Sequence, residues 1–584
     1  METQVTERPV PCSCFVNMKS KRDTQTSFDA IVIGSGMGGM TTAALLARDG
    51  LRVLILEAAV SPGGCSSSYK RKGYIFESGA TTLIGFDHHQ PLNELEHTLG
   101  LTIEKTPIEP SMTVHMDGHS IVRWENLEQW IREVTSVFGE ASEQRTFWTR
   151  AKAVSDVVWK VSGRNRNFPP QSVKDAIKLL KNDPRDAKIL PYAASSVKEV
   201  ASRIGISHPG FYRFLDEQLL IASQATSTET SFLFGAPALT YTNYTNYTVR
   251  GGLIEMIRQL IDYVERQNGV FKNRSRVQSI TPMLPQGVAT SSNIDGSSGG
   301  NGSSGDSGGN GSSGGSGSSG SSGSNGSSGS SGSSGGNGIS GYRVQTTDGS
   351  VYQAPIVVSS VPIWNMPDLT HGAMKRYFEN ESARYDLGWG AFTMGIVTTD
   401  TYEKSMTLHH QIHNDWRTQR DGRAQRDGRK QGDGKEDFSV FVSFSHPDDT
   451  IRAKPGTRVL NVSTHVHTKD WFVDRDTYDQ NKAATEEQIV RLLERNLPGF
   501  AESERISQFS ATPRTWQKWV YRKHGRVGGL PQSMNRSILD WTPNKTPFKG
   551  VYLCGDTVYP GQGIPGVALS GILARHRIQE DFYP

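Results

Sequence analysis

A glycine-punctuated junction near the start of the chain restricts the fold more than any other feature. The apolar run FDAIVIG, ending at Gly34, has the composition of a strand buried on both faces. MGGMTTAALLARDG follows, helix-forming with Gly50 as its stop, and then LRVLILE, a second buried strand. This is a β-α-β unit, which needs a parallel sheet with helices on its faces. At the junction Gly34, Gly36 and Gly39 supply GxGxxG, with Gly38 beside the last. Gly34 permits the tight turn, Gly36 lets the backbone approach a pyrophosphate, and Gly39 lets helix and strand pack closely. The phosphates would sit on the helix N-terminus, where unpaired N–H groups favour anions. Glu57 ends the second strand about 20 residues on, placed to accept hydrogen bonds from a ribose diol. Together these features predict dinucleotide binding on an α/β fold.

The remainder shows where that fold is interrupted. From Asn126 to Ala225 the pattern is helical, as in LEQWIREVTSVFG and SVKDAIKLLKNDP, whereas the last third returns to strand-like stretches such as FSVFVSF and TRVLNVSTHV. The chain closes with VYLCGD, a Gly/Pro-rich turn and a helix, so the nucleotide-binding fold reads as split between the two ends. Two segments look inserted. Gly296 to Gly341 is almost wholly Gly, Ser and Asn and offers nothing to bury. Strand-like flanks put it at a β-hairpin tip. Gln419 to Asp437 is a near-duplicate, QRDGRAQRDGRKQGDGKED, read as a solvated loop with mixed charge.

Composition removes whole classes of function. Lys and Arg number 63 against 59 Asp and Glu, a net +4 too mild and dispersed to argue for nucleic acid. Four cysteines, at 12, 14, 65 and 554, make neither a disulfide framework nor a spaced metal pair. No apolar run reaches the ~18 to 20 residues that span a bilayer. Residues 1–28 are polar, lack an apolar targeting core and read as a disordered leader, with Met18 as an alternative start.

Further motifs carry a resemblance. Gly63-Gly64-Cys65-Ser66 follows Glu57 and leads into YKRKGYIFESGATTLIG; Arg250-Gly251-Gly252-Leu253 precedes a helix; GVFKNRSRVQSI follows; and the tail reads YLCGDTVYPGQGIPGVALSGILARHRI. Across these motifs the sequence resembles the flavin-containing amine oxidase and phytoene desaturase superfamily, and its tail the carotenoid desaturase and isomerase branch. PGQG is nearer the isomerases and IPGV nearer the bacterial desaturases. The resemblance implies FAD, with Gly63, Gly64, Cys65 and Ser66 turning toward the isoalloxazine and Val277 touching adenine through its backbone. It further implies Gly555 and Asp556 at the ribityl or pyrophosphate region, and Gly563, Ile564, Pro565 and Val567 beside the flavin's pyrimidine edge. A helix N-terminus there would stabilise negative charge on the ring.

The fold expected is a discontinuous Rossmann-type FAD-binding domain with a mixed α+β substrate or cap domain. FAD-binding segments would span 29–125, 250–360 and 546–584, and substrate segments 126–249 and 361–545. The implied reaction is cis–trans isomerisation or desaturation of a polyene at flavin N5. The implied partners are a lipophilic polyene and a membrane surface, with no nucleic acid and no metal, and catalytic residues unknown. The protein would be peripheral on a membrane, cytoplasmic in a bacterium or plastid-associated in a eukaryote. A flavin amine oxidase or other small-substrate oxidoreductase is the alternative on the same scaffold. A non-catalytic FAD-stabilised escort would be expected to show damaged cofactor motifs, and these are intact.

Several residues are open to two readings. Cys65 stands where many relatives carry Arg or Lys and is read as a backbone neighbour of the flavin rather than a redox thiol; Cys554 reads as core packing. His88-His89 is an acid or base near the ring or an exposed pair. His409, His410 and His413 resemble metal ligands by count alone. YTNYTNYT, from Tyr241 to Thr248, lines a tunnel or forms a surface strand. SVKDAIKLLKN packs a cap domain or rests on lipid.

Overall fold

A computed structural model describes residues 26–179, 184–284, 339–385, 389–413 and 439–583. The leader up to residue 25, with Cys12, Cys14 and Met18, lies outside these residues, as do the Gln419 to Asp437 repeat and nearly all of the Gly296 to Gly341 insert.

Five short strands form a parallel sheet in the order Val551–Leu553, Ile356–Ser359, Ala30–Ile33, Val53–Leu56 and Val270–Lys272. Its strands come from both ends and the middle of the sequence, which makes the Rossmann-type unit discontinuous. Helix Met37–Arg48 starts three residues after the first strand, and Gly50 follows it at φ 89°. Small residues let this helix press against Ile564–Phe582, because a Cβ on Gly571 would lie 2.5 Å from the Gly38 carbonyl oxygen. Thr42 Oγ1 donates to the Gly571 carbonyl across that contact, at 3.2 Å. The hairpin expectation is met at its flanks: strands Val277–Met283 and Gly341–Thr346 pair antiparallel with Met283 opposite Gly341.

The second unit is a seven-stranded sheet ordered Arg505–Ala511, Trp389–Thr399, Thr457–His467, Ser439–Phe444, His409–His413, Met112–Met116 and His119–Arg123. Against it lies a helical layer including Ala141–Arg164, Pro209–Ser223 and Phe232–Thr240. The layer is held by rings: Trp130, Phe147, Trp148, Phe211, Phe214 and Phe232 share one core. Each such side chain contributes up to about 3 kcal/mol by leaving water.

Three expected boundaries move. Residues 112–123 were assigned to the first cofactor segment, which was to end at 125, but both their strands pair into the seven-stranded sheet. Residues just after 360 and just before 546 were assigned to the substrate unit. Ile363, Trp364, Met366, Met374, Phe378 and Leu530 instead share a core with Ile31, Ile33, Leu54 and Leu56 of the cofactor sheet. In each case the apolar face decides, since an element belongs where its side chains are buried.

Candidate active site

Glu57 and the glycine turn form one network at the end of the parallel sheet. The Glu57 carboxylate accepts from Ser35 N at 2.8 Å, Ser35 Oγ at 2.6 Å and Ala59 N at 2.7 Å. Ser35 Oγ also accepts from Gly63 N at 3.1 Å, so one serine ties the acid to both glycine motifs. Gly34 and Gly63 sit at φ 92° and 109°, where a side chain would be strained. A Cβ on Gly39 would lie 2.3 Å from the Gly34 carbonyl oxygen, and one on Gly38 would lie 2.8 Å from Gly555 N. Hydrogen bonds from Ser275 N to Glu57 O and from Arg274 N to Ala59 O bring the segment leading into Val277 alongside Glu57.

These residues fit a flavin dinucleotide. Helix Met37–Arg48 begins at Gly36 with no side-chain cap, and helix Ile564–Phe582 begins at Gly563 likewise uncapped, with no acid in its first turn. Two helix N-termini thus keep unpaired donors for anionic groups. The RGG motif acts at a distance from the glycine loop: Asp449 accepts from Gly251 N at 2.9 Å, and a Cβ on Gly252 would lie 2.6 Å from Ser68 Oγ. Glu77 accepts from Ser68 Oγ at 2.5 Å and pairs with Arg452 at 3.4 Å. Burial pushes the Glu77 carboxyl up, opposed by Arg452.

A cavity of about 420 Å³ opens beside the helix start and runs between the two units. Cys65, Ser66, Asp556, Gly563, Ile564, Pro565 and Val567, all expected near a cofactor, line one part of it. Asp556 is held by Arg522, at 2.8 Å from Nη2 to Oδ2, a buried partner that the sequence did not announce. Burial pushes the Cys65 thiol up, opposed by Arg522, which keeps it protonated rather than a reactive thiolate. Gly79 carries Cys65 and Trp516 close by, since its Cβ would meet the Trp516 ring at 2.8 Å.

The remaining walls come from both layers. Val158, Trp159, Ile221, Phe234 and Tyr241 line it from the helices, and Ala391, Thr393, Ser439, Phe441, Ser463 and His465 from the sheet. Asp556 is the one carboxylate in the lining among the described residues, and His465 the one imidazole, its pKa lowered to about 4 by burial. Tyr241 therefore carries the tunnel reading of the YTN repeat. Tyr244 instead donates to Ser155 Oγ at 2.9 Å, and Tyr247 packs on Phe86.

The other candidates are placed elsewhere. His88 and His89 are exposed and lie against each other with their rings tilted by 40°. His409, His410 and His413 lie along one strand whose alternation turns His410 away from the other two. His410 Nδ1 meets His115 Nε2 at 3.0 Å, and burial lowers these two pKa values to about 3 and 4. Cys554 is buried in the cofactor core as expected. Ser35, Ser360 and Arg522 were missed. Ser360 ends the buried run IVVSS, whose polar close just before Val361-Pro362 could have marked a loop facing the glycine turn. A Cβ on Gly36 would lie 3.3 Å from its Oγ. Arg522, in YRKHGR, has no such signal.

Known proteins share this arrangement. Residues 32–98 match the NAD(P)-binding Rossmann-like domain, and residues 333–578 the Flavin containing amine oxidoreductase family. The chain is 24% identical to the chloroplastic prolycopene isomerase of Arabidopsis thaliana, over 96% of its own length and 84% of the relative's. It is 22% identical to the neurosporene-forming phytoene desaturase of Rhodobacter capsulatus, over 96% and 95%. Among solved structures, cyclohexylamine oxidase from Brevibacterium oxydans shares the fold with a TM-score of 0.54 at 14% identity, covering 95% of this chain and 100% of that one. With its glycine cradle and its discontinuous Rossmann-like unit, the chain carries a Rossmann-like dinucleotide-binding domain and a flavin-containing amine oxidoreductase domain, and over 96% of its length it is similar to the prolycopene isomerases and a phytoene desaturase.

Proposed function

We propose that the flavin is FAD and that the enzyme isomerises or desaturates a carotenoid-like polyene. One observation carries the reading: the cavity is walled mainly by apolar groups, and the single carboxylate lining it among the described residues, Asp556, is already paired with Arg522. Among the described residues an alkylammonium ion would find no unpaired carboxylate there, which disfavours the amine-oxidase alternative. Bound FAD would supply the redox chemistry.

The chain's own part is to bind, orient and exclude water. Gly34, Gly36, Gly38 and Gly39 would take the diphosphate, Glu57 a ribose diol and Val277 the adenine. The start of Ile564–Phe582 would place its dipole's positive end against the pyrimidine edge. Val158, Ile221, Phe234 and Phe441 would align the hydrocarbon stretch of the polyene through apolar contact alone, since that stretch offers no polar handle.

The same reading puts the protein peripherally on a membrane, plastid-associated as the plant isomerases are by name. Val173, Ile177 and Leu190, between 52% and 78% exposed, offer an apolar surface for it, and no described helix is long and apolar enough to cross a membrane.

Anaerobic incubation of the oxidised and reduced flavoprotein with a poly-cis carotene in liposomes tests the function. Products of unchanged mass formed with reduced enzyme establish isomerisation. Loss of two hydrogens with flavin bleaching establishes desaturation. No reaction in either state, with oxygen uptake on amines, overturns the proposal.

A further inference from the structure

Strand His119–Arg123 ends in a guanidinium that is fully buried, Arg123 being 0% exposed. No carboxylate pairs with it among the described residues; its charge lies over the Trp130 ring at 4.4 Å and donates to Leu239 O and Gln218 Oε1. A buried cation held only by neutral acceptors is costly and polarises whatever it touches.

That polarity is transmitted through a chain whose direction is forced. A guanidinium only donates, so the Gln218 atom facing Arg123 is its oxygen and its amide nitrogen faces the other way. The nitrogen donates to Gln411 Oε1. Gln411 must then turn its own nitrogen outward, and it donates to Glu217 O at 3.3 Å and to Ser439 Oγ at 3.2 Å. The Glu217 carbonyl, which can only accept, fixes this orientation a second time. Ser439 Oγ is thus an acceptor from inside the protein, and its proton has no acceptor among the described residues. Ser439 lines the cavity. Its strand is two removed from Trp389–Thr399, roughly 10 Å across the sheet. That nearer strand is tied to the cofactor side, where Val527 N donates to Trp389 O.

We propose that Ser439 is a specificity-determining hydrogen-bond donor, oriented by the Arg123–Gln218–Gln411 relay, and that the cavity's ligand carries an acceptor oxygen, a carbonyl or carboxylate, to meet it. Joined to the polyene reading on which its substrate class rests, this makes the preferred substrate an oxygenated polyene rather than a bare hydrocarbon.

Binding to the purified flavoprotein is compared within two pairs, β-carotene against its 4-keto derivative and n-decane against 2-decanone, each corrected for partition from water or detergent. The ketone of each pair is expected to bind about tenfold more tightly. Ser439→Ala should erase that ratio, and Ser439→Thr, which keeps the hydroxyl, should restore it. Equal binding within both pairs, or a ratio unchanged by Ser439→Ala, overturns the relay. Discrimination within the short pair with no binding of either polyene upholds the relay and overturns the polyene reading instead.

Discussion

The cofactor cradle and the substrate cavity share a border at Cys65 and Asp556, yet they are built on opposite rules. In the cradle, backbone meets backbone: Gly38, Gly39 and Gly571 stand where a single added carbon would strike a main-chain atom, and Gly34 holds a φ of 92° that a side chain would strain. In the cavity, ordinary side chains from distant segments converge, and no one of them is required by backbone geometry. A site defined by what cannot be present tolerates no change. A site defined by volume and polarity can be retuned residue by residue.

The sharpest test of that difference is Gly39→Val. The Gly34 carbonyl, 2.3 Å from the new Cβ, is backbone and cannot swing aside. A loss of about 3 kcal/mol or more is expected, with little flavin retained, read from the denaturant midpoint and the flavin-to-protein ratio. Unchanged retention would remove the contrast, because the cradle would then be as forgiving as the cavity.

Glu57→Ala should cost slightly less. It strands the Ser35 and Ala59 N–H groups, at about 1–3 kcal/mol for a buried group left unpaired, and removes the acid assigned to the ribose. Flavin retention after gel filtration is expected to fall at least tenfold. Retention equal to the parent would show that Ser35, not Glu57, organises the turn.

These two tests fall where the sequence was legible, and the reason is physical. Glycine at a positive φ, an acid at a strand end and an uncapped helix start each leave a local mark. The residues of the glycine turn and Glu57 therefore emerged from short motifs, whereas Arg522 reaches Asp556 from 34 positions away and Gln218 reaches Gln411 across 193. Such pairings depend on how layers stack, which no local pattern records. The misplaced boundary at 125 has the same origin: only the pairing of Met112–Met116 with His409–His413 reveals which sheet that segment serves.

The histidines behind the cavity give a pH test of the second region. Burial, reinforced by His115, lowers the His410 pKa to about 3, below its value in the unfolded chain. The unfolded state therefore takes up the proton first. This histidine's contribution is whole above the ordinary pKa near 6.5 and is lost as pH falls toward 3. Between pH 7 and pH 5 the parent should lose about 2 kcal/mol more stability than His410→Asn, by chemical denaturation at each pH. Equal losses would mean that His410 is as hydrated as a surface residue.

The smallest effect is expected from shortening the Gly/Ser insert. Strands Val277–Met283 and Gly341–Thr346 pair in continuous register from Ser279 opposite Gln345 to Met283 opposite Gly341, so the hairpin is closed by its own pairing whatever length of chain joins them. Closure entropy changes by only about 0.6 kcal/mol per doubling of a flexible loop. Removing half of the Gly/Ser insert should therefore raise stability by about 0.6 kcal/mol while leaving flavin content and polyene turnover at parental levels. A fall in flavin content would show that the insert reaches the cradle, and a fall in turnover alone that it serves the cavity. Either outcome would assign the insert to one of the two regions, which its composition alone does not.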